Sequence, residues 1–220
     1  MNPLTPRTRI KICGLTREAD VDAAVTAGAD AIGFVLYPKS PRAVTAARAG
    51  DLARRLPPFV TPVLLFVNAT ADEIAAGLAA VPQALLQFHG DEPPEACTAP
   101  GRPYLRAARM APGVDLLDLA ARHPSAQALL LDAHVEGYGG GGKAFDWSLI
   151  PPGVPCPVVL SGGLNPASVI DGVMHVRPWA VDVSSGVESA KGIKDAALMH
   201  CFCQAVREAD ARVAQASAGT

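Results

Sequence analysis

The chain has 220 residues, half of them hydrophobic and 18% charged, with a formal net charge of −2. It carries no long run of lysine or arginine, which argues against a nucleic-acid partner, and no apolar run near the roughly 20 residues of a membrane span. The start, Met1-Asn2-Pro3-Leu4-Thr5-Pro6, lacks the apolar core of a signal peptide, and the five cysteines are odd in number and irregular in spacing, so a disulfide-free, cytoplasmic protein is expected.

The first expected strand, 9–13, ends in the turn Cys13-Gly14-Leu15-Thr16. Lys11 lies two residues before Cys13 and points to the same side of the strand. A cation there lowers a thiol from its free pKa of about 8.5 toward a useful thiolate fraction. Taken alone, Cys13 also reads as a buried structural cysteine. A helix over 17–27 and a strand over 31–36 lead to Tyr37-Pro38-Lys39-Ser40-Pro41-Arg42, a proline-stiffened loop whose guanidinium suits a carboxylate through two parallel bonds. A helix over 45–56, a strand over 62–67 and a helix over 71–80 follow. The strand over 84–89 ends in Gln87-Phe88-His89-Gly90, where His89 either contacts a ligand or satisfies a local hydrogen bond.

A helix over 93–98, a strand over 103–107 and a helix over 114–122 precede the strand 128–132, whose last residue is Asp132. Just beyond it, Gly137-Tyr138-Gly139-Gly140-Gly141-Gly142-Lys143 is too glycine-rich for a packed turn. It reads either as a loop over a site, with Lys143 able to reach a phosphate or carboxylate, or as a floppy surface loop. It is not a phosphate-binding Walker loop, because Ala144 follows the lysine. A short or irregular helix over 145–149 comes next. The strand over 157–160 ends in Ser161-Gly162-Gly163-Leu164-Asn165. A helix over 166–173 and a strand over 180–183 lead to Ser184-Ser185-Gly186-Val187-Glu188. Small residues leave backbone N–H groups uncovered, so these two loops read as an anion site. In the last helix, from 194 to about 213, Ala197, Leu198, Cys201, Phe202, Ala205 and Val206 form an apolar stripe. That pattern predicts a core position for Cys201 and a different face for Cys203.

Eight alternations of strand and helix predict an α/β, single-domain (β/α)8 TIM barrel over 1–220. An open doubly wound sheet is the alternative. On a barrel the carboxyl ends of all strands gather on one rim, which would bring Cys13 and Asp132 together as a proton-transfer pair. The loops after the last two strands are where barrels often hold phosphate, here Gly162, Gly163, Ser184, Ser185 and Gly186. The histidines at 89, 123, 134, 175 and 200 make no His-Glu-x-x-His zinc pattern, and the metal case is weak.

These segments, from Lys11-Ile12-Cys13-Gly14 through Gly142-Lys143-Ala144-Phe145-Asp146-Trp147 to Ser184-Ser185-Gly186, resemble the phosphoribosylanthranilate isomerase family in order and in kind. The resemblance runs from residue 11 to residue 188. One departure is Gly141, where the family usually has Thr or Ser. The resemblance implies an Amadori rearrangement in tryptophan biosynthesis, in which N-(5-phosphoribosyl)anthranilate becomes 1-(2-carboxyphenylamino)-1-deoxyribulose 5-phosphate. It implies that Asp132 is the general acid and Cys13 the general base. Arg42 would hold the anthranilate carboxylate, with His89 and Asp182 also substrate-binding and Asp182 near the sugar or the Lys11 charge. No metal or cofactor is implied, and the expected partner is a small phosphosugar, bound by a monomer or homodimer. Two other readings compete. One is a metal-dependent pentose-phosphate epimerase using His89, Asp132 and His134. The other is a non-catalytic phosphosugar-binding protein.

Overall fold

The computed structural model describes residues 7–133 and 145–218. Eight parallel strands close a barrel in chain order. They are β1 (Arg9–Cys13), β2 (Ala31–Val35), β3 (Thr61–Phe66), β4 (Leu85–Phe88), β5 (Tyr104–Met110), β6 (Ala128–Ala133), β7 (Val158–Leu160) and β8 (Ala180–Val183). Closure is made by β8 against β1, with Lys11 opposite Asp182 and Ile12 opposite Val183, which rules out the open sheet. The helices are α1 (Glu18–Ala27), α2 (Ala46–Ala53), α3 (Ala71–Ala80), α4 (Pro94–Thr98), α5 (Leu116–Arg122), α6 (Val169–Val176) and α7 (Ala196–Ala218).

Three local departures from the expected elements have physical causes. The helix expected over 166–173 begins only at Val169, because the Asn165 side chain accepts the N–H groups of Ala167 and Ser168 and holds those residues in a turn. The last helix begins at Ala196 rather than at 194. The preceding residues form an antiparallel hairpin, β9 (Glu188–Ala190) and β10 (Ile193–Lys194), turned by Gly192 at φ 77°. Between β6 and β7, the described residues hold one 3-10 turn, Trp147–Leu149, with Asp146 as its N-cap. The glycine run with Gly141 and Lys143, and His134 before it, lie outside the described residues.

Strand alternation sorts the side chains into two sets. Ile10, Ile12, Phe34, Phe66 and Phe88 pack into the main core with the surrounding helices. Leu105, Ala107, Ala128, Leu130, Val159 and Ala180 form a second cluster from the opposite strand face, inside the barrel. Cys13, Val35, Leu65 and Val67 cluster nearer the carboxyl rim. The buried stripe of α7 is Met199, Phe202, Cys203, Ala205, Val206, Ala209 and Val213. Cys203 is therefore the core cysteine and Cys201 is exposed, the reverse of the expected placement. The large residues Met199, Phe202 and Val206, three and four apart, set the buried face, and Leu198 and Cys201 fall beside it.

His123 caps the carboxyl end of α5 and is buried, with its ring edge-on to Tyr104 at 6.3 Å. Burial pushes its pKa down to about 4, helped by Arg106 and Arg122 nearby. The unfolded chain binds this proton below about pH 6.5 whereas the folded chain resists it. Stability is therefore complete above pH 6.5 and falls as the pH drops toward 4. The expected loss attributable to His123 is up to about 3 kcal/mol across that window. Urea unfolding of wild type and His123→Gln at several pH values checks this, and the variant should show a flatter slope.

Candidate active site

The carboxyl rim of the barrel opens into a cleft. Cys13, Arg42, His89, Asp132, Asp182, Gly162, Gly163, Ser184 and Ser185 all line it. Of the residues singled out from the sequence, Gly186 stands apart. It packs behind the cleft, where an added Cβ would lie 1.9 Å from the Leu164 carbonyl oxygen. Gly186 thus lets the loop after β8 press on the loop after β7.

Cys13 ends β1, beside Gly33 of β2. A Cβ on Gly33 would sit 2.6 Å from the thiol sulfur, so this glycine makes the space that the thiol occupies. Gly14 adopts φ 77°, and a Cβ there would meet the Arg42 side chain at 2.5 Å. The turn after the thiol is thus bare of side chain so that Arg42 can lie across it. Lys11 is buried and donates to Asp182 Oδ1 at 2.8 Å. Burial disfavours the Lys11 charge, but Asp182 and Cys13 outweigh it and raise its pKa. For Cys13 the balance runs the other way. Burial outweighs Lys11, and the thiol is pushed above its ordinary value. The expectation that the nearby cation would lower this thiol is corrected accordingly: Lys11 does pull the thiol down, but burial is the larger effect and the Asp182 carboxylate adds to the rise.

Arg42 is also engaged. Its Nε and Nη2 donate to the two oxygens of Glu188, at 2.7 and 2.8 Å. In the free protein the carboxylate that it grips is therefore internal. Lys194 Nζ donates to the same Glu188 at 2.8 Å and to the Ser184 carbonyl at 2.9 Å. Burial resists the charge on Glu188, but Arg42 and Lys194 hold its carboxyl below the usual range. Two cations and one anion leave this buried trio with a net positive charge beside Ser184 and Ser185. Glu188 and Lys194 escaped the sequence reading. Glu188 was visible at the end of Ser184-Ser185-Gly186-Val187-Glu188, but Lys194 seemed to open a helix and carried no motif.

The loop after β7, one of the two expected to hold an anion, has a left-handed backbone. Gly162 and Gly163 are consecutive at φ 76° and 69°, a conformation that favours glycine. A Cβ on Gly162 would lie 2.3 Å from the Ala133 nitrogen, so the loop after β7 presses on the end of β6 next to Asp132. Ser161 Oγ donates to Asp182 Oδ2 at 3.4 Å. His89 makes local hydrogen bonds and also lines the cleft. Its Nδ1 lies 3.3 Å from Gln87 Nε2, and its Nε2 lies 3.1 Å from Asp132 Oδ2. The arrangement unites a thiol, a carboxyl, a net positive charge cluster and glycine loops around one cavity. Such a site can move protons on a doubly anionic ligand.

Known proteins share both the sequence and the shape. A family model described as N-(5'phosphoribosyl)anthranilate (PRA) isomerase matches residues 10–205. The N-(5'-phosphoribosyl)anthranilate isomerase of Leptothrix cholodnii is 73% identical over 97% of this chain and 97% of its own. The crystal structure of phosphoribosyl anthranilate isomerase from Thermotoga maritima superposes with a TM-score of 0.84 at 40% identity, covering 91% of this chain and 99% of that one. A second isomerase structure, in complex with reduced 1-(o-carboxyphenylamino)-1-deoxyribulose 5-phosphate, gives a TM-score of 0.81 at 38% identity, with 91% and 99% covered.

The tight fit of the thiol against Gly33 is open to test. Gly33→Ala should lower the unfolding free energy by about 1–3 kcal/mol through overpacking and should reduce turnover by displacing Cys13. Denaturant unfolding and steady-state kinetics read the two effects, and a variant matching wild type in both would mean that the thiol has room to move.

Proposed function

The chain belongs to the N-(5'-phosphoribosyl)anthranilate isomerase family, and on that premise we propose how its cleft performs the Amadori rearrangement, with Asp132 as general acid and Cys13 as general base. The reaction turns N-(5-phosphoribosyl)anthranilate into 1-(2-carboxyphenylamino)-1-deoxyribulose 5-phosphate and serves tryptophan biosynthesis. The observation that carries the assignment is that Cys13 and Asp132, from β1 and β6, line the same cleft as the glycine loops and Arg42.

Asp132 gives its proton to the furanose ring oxygen. The bond from that oxygen to C1 breaks, and the nitrogen lone pair forms an iminium with C1. The iminium makes the proton on C2 acidic. The Cys13 thiolate removes it, the C–H electrons form the C1–C2 double bond, and the iminium electrons return to nitrogen. The resulting enolamine tautomerises to the ketone, so no atom is gained or lost overall. Burial keeps much of Cys13 as thiol before the substrate reacts. An iminium developing above it adds positive charge, which favours the thiolate at the step that needs it.

Arg42 receives the anthranilate carboxylate. Its Nε and Nη2 are engaged with Glu188, so the carboxylate is taken up by Nη1. The phosphate sits against Gly162, Gly163, Ser184 and Ser185, where two left-handed glycines turn backbone into the cleft. Gly186 serves this site from behind by allowing the two loops to approach. Asp182 acts chiefly through Lys11, whose charge it holds next to Cys13. A small phosphosugar as ligand and a cytoplasmic location accompany this reading.

Cys13→Ser and Asp132→Asn should each lower kcat by about 10²- to 10⁴-fold, the range for acid–base groups. The fluorescence of freshly made phosphoribosylanthranilate follows the reaction, and near-normal turnover in either variant removes that residue from its role. Arg42→Ala should act mainly on KM, because Lys194 still pairs Glu188 after the substitution. An unchanged KM would take Arg42 out of the carboxylate site.

A further inference from the structure

Gln87 has no part in the chemistry above, yet it is wholly buried in β4 and lines the cleft. It lies two residues before His89, on the same face of the strand. Its Nε2 is 3.3 Å from His89 Nδ1, and its Oε1 is buried with no hydrogen-bond partner among the described residues. A buried amide oxygen left unpaired carries an energetic cost. The amide is therefore held toward the imidazole at the expense of its other end.

The backbone around His89 is clamped separately. The His89 N–H donates to the Phe66 carbonyl at 2.9 Å. Arg106 donates to the carbonyls on either side, Phe88 at 3.0 Å and Gly90 at 2.9 Å. Glu92 accepts the Gly90 N–H at 2.9 Å. These contacts fix where the ring is, but not which ring nitrogen carries the proton. A neutral imidazole has one N–H, and its position follows the hydrogen bond at the other nitrogen. An amide N–H donated into Nδ1 requires a bare Nδ1 and puts the ring proton on Nε2. That proton then points at Asp132 Oδ2, 3.1 Å away.

We infer that Gln87 is a positioning residue for the general acid, locking His89 in the Nε2–H form so that the imidazole occupies Oδ2 of Asp132 and leaves Oδ1 to carry the transferable proton. Oδ1 accepts the Ala133 N–H at 3.0 Å and keeps a second lone-pair direction for that proton. Once the proton has passed to the ring oxygen, the carboxylate keeps two N–H donors, one on each oxygen. In the opposite tautomer the bare Nε2 would face Oδ2, draw the acid proton to itself and withhold it from the substrate. The inference rests on Asp132 being the acid.

The test uses the full-length enzyme labelled with 15N-histidine and two variants, Gln87→Met and Gln87→Glu. Long-range proton–nitrogen correlation spectra are recorded in alkaline buffer, where the ring is uncharged, and His89→Asn identifies the signal. Wild type should show a protonated Nε2 and a bare Nδ1 at His89. Gln87→Met, similar in size, should shift both nitrogens toward a mixture of tautomers and lower kcat about tenfold, roughly one lost hydrogen bond, with KM within about twofold of wild type. Gln87→Glu, which accepts but cannot donate, should move the proton to Nδ1 and lower kcat further. Unchanged nitrogen signals in both variants, a wild-type proton on Nδ1, or an effect confined to KM would each overturn the inference. The spectra are read without substrate, so a failed tautomer assignment is distinguishable from a failed assignment of the reaction.

Discussion

The buried bond from Lys11 to Asp182, 2.8 Å long, joins the first strand to the last. It forms at the seam where the sheet becomes a barrel, and the geometry of the rim depends on it. Burying either charge alone costs several kcal/mol. Together, in register across the seam, they satisfy one another and keep Lys11 charged beside Cys13. The thiol from β1, the serines after β8 and the glycines after β7 share one cavity only because this seam is closed.

The electrostatics of the cleft are a contest between burial and pairing. Around Cys13 burial prevails, and the thiol is held above its ordinary pKa. Around Glu188 pairing prevails, because two cations reach one carboxylate. On the proposed roles, the cleft attracts an anionic ligand through the Arg42, Glu188 and Lys194 trio, while the proposed base, Cys13, gains its charge only as positive charge develops on the substrate. A base charged in the resting enzyme would oppose the approach of a phosphate and a carboxylate. A base that gains its charge late avoids that repulsion.

The features legible in the sequence are the local ones. Cys13-Gly14 announced a turn at a strand end, and the structure has φ 77° there with Arg42 lying across it. The paired glycines after β7 announced a tight, side-chain-free loop, and both are left-handed. Strand periodicity located all eight strands to within a few residues. Phe202, Ala205 and Val206 of the expected α7 stripe are buried, but Leu198 and Cys201 give way to Met199 and Cys203, because several alanines flank the large residues and only packing against the barrel chooses between the faces. Lys194 was missed for a related reason. It stands in a two-residue strand too short to show periodicity, and its partners are set by how the hairpin folds back.

Sequence alone determined the alternation of elements, the residue types at each strand end and, by strand parity, that Lys11 and Cys13 share one face of their strand. These follow from backbone geometry repeated along the chain. Tertiary structure alone decided which charge meets which: Arg42 with Glu188, 146 positions away, and Lys11 with Asp182, 171 positions away. It also decided that burial outweighs the lysine at Cys13. Pairing and desolvation depend on distances across the closed barrel, and no spacing along the chain encodes them.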